Sequence, residues 1–180
     1  KRKLLILFLT GILIFLNWAV WIYAVAVDQI IDASFGYFIM PIISIFLGYF
    51  FFKEKISNKG KISIFIVLIS IIYLLLVDFN SIPWIGLIVA ILWSVYNLIR
   101  KKIKVDTDTG LFIESLLILP FILFAFYIIT KNNYNDFDIS NPSLMLILIL
   151  AGPMTVIPLF LYVKGVELSG LGPAGMIFYI

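Results

Sequence analysis

Six long apolar runs, separated by short polar breaks, organise the sequence: residues 4–27, 33–52, 62–77, 83–99, 110–130 and 143–163. Each is close to the roughly 17 to 25 residues with which a helix crosses a bilayer, so the pattern predicts six membrane-spanning helices. A seventh apolar segment opens near Gly172 and has run about ten residues when the sequence stops at Ile180. The breaks carry residues that start or end helices: Ser57, Asn58 and Gly60, then Asn80, Ser81 and Pro83, then Thr109 and Gly110, then Asn141 and Pro142. Residues 17–55 hold the tightest unit, in which an acidic turn from Asp28 to Asp32 joins the first two runs and Lys53, Glu54 and Lys55 stop the second. So short a turn makes those two helices antiparallel. The first run is about twice the length of a signal-peptide core and lacks a small-residue cleavage site, so it reads as a spanning helix.

Within the runs, polar and small residues recur every three or four positions and form strips that disfavour contact with lipid. In the second run Ser34, Tyr37, Pro41, Ser44 and Gly48 share one face, and Pro41 frees a backbone carbonyl there. The fourth run repeats this with Gly86, Ala90, Trp93 and Asn97, and the sixth with Gly152, Thr155, Leu159 and Tyr162, where Pro153 and Pro158 invite interruption. In the first run Asn17, Trp21, Ala24 and Asp28 share a face. Such strips line a path for a small-molecule substrate or pack helix on helix, and Asn17 at mid-membrane needs a hydrogen-bond partner in either case. Trp93 and Tyr96 lie deep enough to stack on a ligand. Glu114 is the acidic residue inside a span, a candidate for proton or cation coupling. Near a helix N-terminus it can instead anchor structure by pairing with Arg100 or Lys101.

The charges set an orientation. Of the thirteen Lys and Arg residues, twelve fall before the first run, between the second and third, between the fourth and fifth, or after the sixth. The other connections hold Asp28, Asp32, Asp78, Asp136 and Asp138 with Lys131 as their base. Six alternating helices place the Lys/Arg-rich loops together on the cytoplasmic side of the cell membrane. With 63% hydrophobic residues and 13% charged ones, the chain has more apolar surface than a soluble domain of 180 residues can bury, so its surroundings are the lipid bilayer. No cysteine and no histidine are present, which excludes a disulfide framework, a thiolate or imidazole metal site and a histidine acid or base. No metal and no cofactor are therefore expected. The net charge of +3 comes from short clusters between apolar runs, with no nucleic-acid motif beside them, and nucleic acid is not an expected partner.

One segment repeats. Trp21-Ile22-Tyr23-Ala24-Val25-Ala26-Val27-Asp28 and Phe160-Leu161-Tyr162-Val163-Lys164-Gly165-Val166-Glu167 match in class and order, 139 residues apart, and Phe38-Ile39 aligns with Tyr179-Ile180 after a two-residue gap. The second copy lies five helices on from the first, an odd number, so the copies cross the membrane in opposite directions, as inverted repeats of secondary transporters do.

Gly11, Asn17-Trp18, Trp21, Tyr23, the block Ala33-Ser34-Phe35-Gly36-Tyr37-Phe38-Ile39-Met40-Pro41, Gly48 and Lys53-Glu54 together resemble the RarD family of EamA-domain permeases, in the drug/metabolite transporter superfamily. Arg100-Lys101-Lys102 and Thr109-Gly110-Leu111-Phe112-Ile113-Glu114 extend the resemblance, which runs from about residue 9 to the end. It implies an all-α polytopic membrane protein, a fragment of a ten-helix transporter with two inverted five-helix repeats. Residues 1–78 would end the first repeat and 79–180 would form most of the second. The six runs would correspond to helices three to eight and Gly172–Ile180 to the start of the ninth. RarD proteins are described as chloramphenicol-sensitivity permeases. The function expected is transport of small organic metabolites or drugs by alternating access. A homodimer is open to such a chain. A structural or assembly subunit is the alternative if the strips only pack. A membrane enzyme is disfavoured, because paired carboxylates, a phosphate loop and a Ser/His arrangement are all missing.

Overall fold

A computed structural model describes residues 2–77, 82–132, 134 and 141–177. The sequence features at Lys1, Asp78, Asn80, Ser81, Asp136, Asp138, Tyr179 and Ile180 lie outside the described residues. Helices α1 (Arg2–Ala26), α2 (Ile30–Phe52), α3 (Asn58–Val77), α4 (Trp84–Ile103), α5 (Thr107–Lys131), α6 (Pro142–Ser169) and α7 (Leu171–Met176) follow in order, with no strand among the described residues. The first six are long and apolar enough to cross a membrane.

The observed helices overrun the apolar runs because their charged ends stay helical in water. Asp32 lies in the first turn of α2, and the reversal narrows to residues around Asp28, which adopts a left-handed φ of 58°. Asn141 caps α6 by accepting the Leu144 N–H at 3.1 Å, with Pro142 behind it where a missing donor costs nothing. Pro153 and Pro158, expected to interrupt, sit inside a helix that continues to Ser169. At the other extreme α5 opens three residues before Gly110, whose missing side chain leaves room for the Arg100 guanidinium: an added Cβ would collide with it.

α2 and α4 form the centre, with α1 against α4 and α7 against α2; α5 packs outside them on α1 and α6, while α3 leans on α2 through Ile71, Phe35 and Ile42. Two glycines let the backbones of α2 and α4 meet, since a Cβ on Gly36 would lie 2.5 Å from the Gly86 carbonyl oxygen. There Asp32 Oδ1 accepts the Gly86 N–H at 2.9 Å, giving the start of α4 a cap from another helix, where Pro83 offers none. Gly175 of α7 packs on Pro41, with 3.3 Å from an added Cβ to the Pro41 carbonyl oxygen.

Long-range bonds fix the directions. Thr10 meets Glu114, Lys101 meets Glu54, Thr107 meets Glu167, and Leu171 meets Glu54. The start of α1, the end of α2, the end of α4, the start of α5 and the end of α6 therefore share one end, which carries the Lys/Arg-rich connections. It follows that α1 and α6, the helices holding the repeated segment, run oppositely.

Candidate functional site

Two sites grow out of this packing, one on each side of the middle of α4. The first is a cavity of about 400 Å³ between α1, α2, α4 and α6, of the size that small organic ligands occupy. Asn17, Trp21, Tyr37, Trp93, Thr155 and Tyr162, six side chains singled out from the strips, line it, with Trp18, Pro158 and Leu159 beside them. Trp21 meets Tyr37 edge to face at 5.4 Å between ring centroids, and Trp93 meets Tyr162 at 5.5 Å. Asn17 does both things its sequence position allowed: it faces the cavity and its Nδ2 donates to the Val89 carbonyl at 2.9 Å, fixing α1 to α4. The wall is aromatic with a few hydroxyl and amide groups, able to hold a flat apolar body and orient a polar group.

The other candidate path residues lie outside that lining. Ser44 is fully buried and donates to Ser94 Oγ at 3.4 Å, while Ser94 donates to the Met40 carbonyl. Pro41 is buried beneath Gly175, and Ser34 is half-buried on the same helix. Asn97 is fully buried and donates to the Trp93 carbonyl at 2.9 Å.

Tyr96 does not stack on the cavity either, because its hydroxyl donates to Glu114 Oε2 at 3.1 Å in the second site. Glu114 is 2% exposed and sits two turns inside α5, deeper than the predicted start of that helix implies. Thr10 donates to its Oε1 at 2.6 Å and Arg100 Nε lies 3.4 Å from the same oxygen. Between the two pairings open to it, Glu114 takes Arg100, because Lys101 points to Glu54. A buried carboxylate held by a cation and two hydroxyls from three helices ties α1, α4 and α5 together. Thr10 was missed, though a hydroxyl alone in the apolar stretch 4–16 was its signal.

Glu54 does more than stop α2. Its carboxylate accepts from Lys101 and from the Leu171 and Gly172 N–H groups at 3.0 and 2.9 Å. Burial pushes the Glu54 carboxyl up, but the Lys101 bond and the two N–H groups outweigh it and hold the carboxyl below the usual carboxylate range. Among the described residues no cluster of acidic side chains could hold a metal ion.

Fold and lining together define a multi-pass α-helical membrane protein with a polar and aromatic cavity between its helices. Residues 1–76 match the EamA-like transporter family. An uncharacterized transporter of Vibrio cholerae is 31% identical over 179 residues, 99% of this chain and 59% of that protein. The uncharacterized transporter YojE of Bacillus subtilis is 32% identical over 98% of this chain and 58% of its own length. Protein RarD of Escherichia coli is 31% identical over 99% and 60%. The chain is thus related to the RarD proteins and the EamA-like transporters, and it spans about three fifths of the length of these relatives. No solved structure matches it.

Proposed function

We propose that the complete protein transports a small organic metabolite or drug across the cell membrane by alternating access, with the aromatic cavity on its path and the Lys/Arg-rich loops in the cytoplasm. The observation that carries this reading is the convergence of Asn17, Trp21, Tyr37, Trp93, Thr155 and Tyr162, from four helices, on one cavity. What sets this cavity apart is its lining, where aromatic faces stand beside an amide and hydroxyl groups drawn from polar strips of four helices. Residues 1–78 and 79–180 are read as belonging to two halves that rock about this cavity, consistent with the opposite directions of α1 and α6. Glu114 serves this scheme first as an anchor, since its oxygens are already engaged by Thr10, Tyr96 and Arg100.

The test is uptake and efflux of amino acids and amphenicol-like drugs by proteoliposomes of the complete gene product, with and without a proton gradient. Saturable flux of at least one solute, lowered by substitution in the cavity wall, is the expected result. Absence of flux for every solute from correctly folded protein would overturn the carrier and favour a structural subunit.

A further inference from the structure

A second cavity, of about 340 Å³, lies between the end of α4, the connection to α5 and the end of α6 at the Lys/Arg-rich end, with Arg100, Lys101, Lys104, Asp106 and Glu167 in its wall. It continues the seam on which the aromatic cavity sits. The upper cavity ends at Trp93 and Tyr162, and the lower begins at Arg100 and Val163, one residue beyond Tyr162 on α6. From Trp93 to Arg100 is roughly 10 Å along α4 at 1.5 Å per residue.

Trp93, Asn97 and Arg100 stand at helical spacing on one strip of α4; Trp93 lines the aromatic cavity, Arg100 lines the second, and Asn97 is buried between them. Along it, Asn97 Oδ1 and Arg100 Nε and Nη1 are buried with no hydrogen-bond partner among the described residues. Asn97 is 0% and Arg100 4% exposed. Buried polar groups without partners are rare in native proteins because each costs stability, so two consecutive residues of a strip in this condition point to a polar guest that supplies the bonds. Glu114 balances the charge of Arg100 from 3.4 Å, Tyr96 lies within hydrogen-bonding reach of the same guanidinium, and Nη2 donates to the Thr107 carbonyl at 3.4 Å, so the fork is anchored on one side and turned to the cavity on the other. Two acids share this wall: Glu167 is held by Thr107 and Lys164, and Asp106 stands at the start of α5, so the basic groups Arg100, Lys101 and Lys104 outnumber them.

Resting on the carrier reading above, we propose that the α4/α6 seam is the limb of the path leading to the Lys/Arg-rich end, and that Arg100 selects solutes bearing a carboxylate or phosphate group. Asn97 Oδ1 accepts a donor of the same solute, and the aromatic cavity holds its apolar body. A guanidinium matches the two oxygens of such a group in a fork that an ammonium cannot reproduce.

Binding to the complete gene product in neutral phosphatidylcholine vesicles is followed by tryptophan fluorescence, using benzoate and phenyl phosphate against benzamide and benzylamine. Both anions should bind at least tenfold more tightly than benzamide. The preference should vanish in R100Q/E114Q, which removes both partners and leaves no buried lone charge, and should persist in part in R100K. Equal binding of benzoate and benzamide by the unaltered protein, a result independent of whether any variant folds, overturns the proposal. So does a preference unchanged in R100Q/E114Q. If phosphatidylglycerol vesicles change the fluorescence while benzoate and phenyl phosphate do not, the site takes a lipid headgroup and the path assignment fails. Flux of a neutral amphenicol with no response to anions sinks this inference alone and leaves the carrier standing.

Discussion

The two halves of α4 contrast in how they are held. Toward the Lys/Arg-rich end, Arg100 and Tyr96 join Thr10 and Glu114 in a buried ionic knot, and Lys101 joins Glu54 in a clasp on the start of α7. Toward the other end, α4 faces an open cavity whose wall is held mainly by ring contacts and one amide bond. Ion pairs out of water are directional and expensive to break, whereas a ring pair contributes about 0.5–1.5 kcal/mol and re-forms in several geometries. Stability therefore concentrates where the helices are tied, and adaptable volume lies where they are not.

The sharpest way to break this contrast is Glu114→Ala, which leaves Arg100 as a buried charge without its counter-ion. A loss of about 3–5 kcal/mol is expected in the unfolding of the complete protein in detergent. A loss under 1 kcal/mol would mean that the knot is not a principal tie.

Gly36→Ala tests whether the cavity half has a rigid seam of its own. The added methyl meets the Gly86 backbone rather than a movable side chain, so about 1–3 kcal/mol should be lost, read from the same unfolding curve. Trp21→Ala should act the other way round. Removing its ring contact with Tyr37 costs about 1 kcal/mol of stability, but should lower the flux of a carried solute at least tenfold at saturating and limiting concentrations alike.

Smallest is the effect at Glu54, where pH gives the sign. Its carboxyl is held below its ordinary value, about 4.3, so the clasp contributes fully above that value and is lost as pH falls through the lowered one. The stability difference between the natural protein and Glu54→Gln should be constant from neutral pH to about 5 and shrink below it. A difference that grows on acidification would show that the carboxylate is not the anionic partner of Lys101.

The spans were legible because bilayer thickness imposes a length that no tertiary contact revises, and the polar strips because lipid penalises them wherever they point. Seven strip residues, Leu159 among them, do meet at one cavity. Tyr96 and Ser44 bond to other helices instead, and Asn97 turns its amide to the Trp93 carbonyl of its own helix, since spacing fixes a face and not what stands opposite it. Helix starts shifted for a similar reason: Gly110, a helix breaker by composition, lies inside α5 with its N–H donating to the Asp106 carbonyl, and a larger residue there would collide with Arg100.

By itself the sequence determined an all-helical membrane chain, the alternation of its helices, the gathering of basic loops at one end and the identity of the residues that lipid would reject. Those follow from transfer free energies and helical period, which are properties of each segment alone. Only the tertiary structure decided that Asp32 caps α4, that Glu54 clasps α7, that Thr10 completes the Glu114 knot and that two cavities share the α4/α6 seam. These join residues as far as 118 positions apart, and a hydrogen bond over such a separation depends on which helix faces come together, which local pattern leaves open.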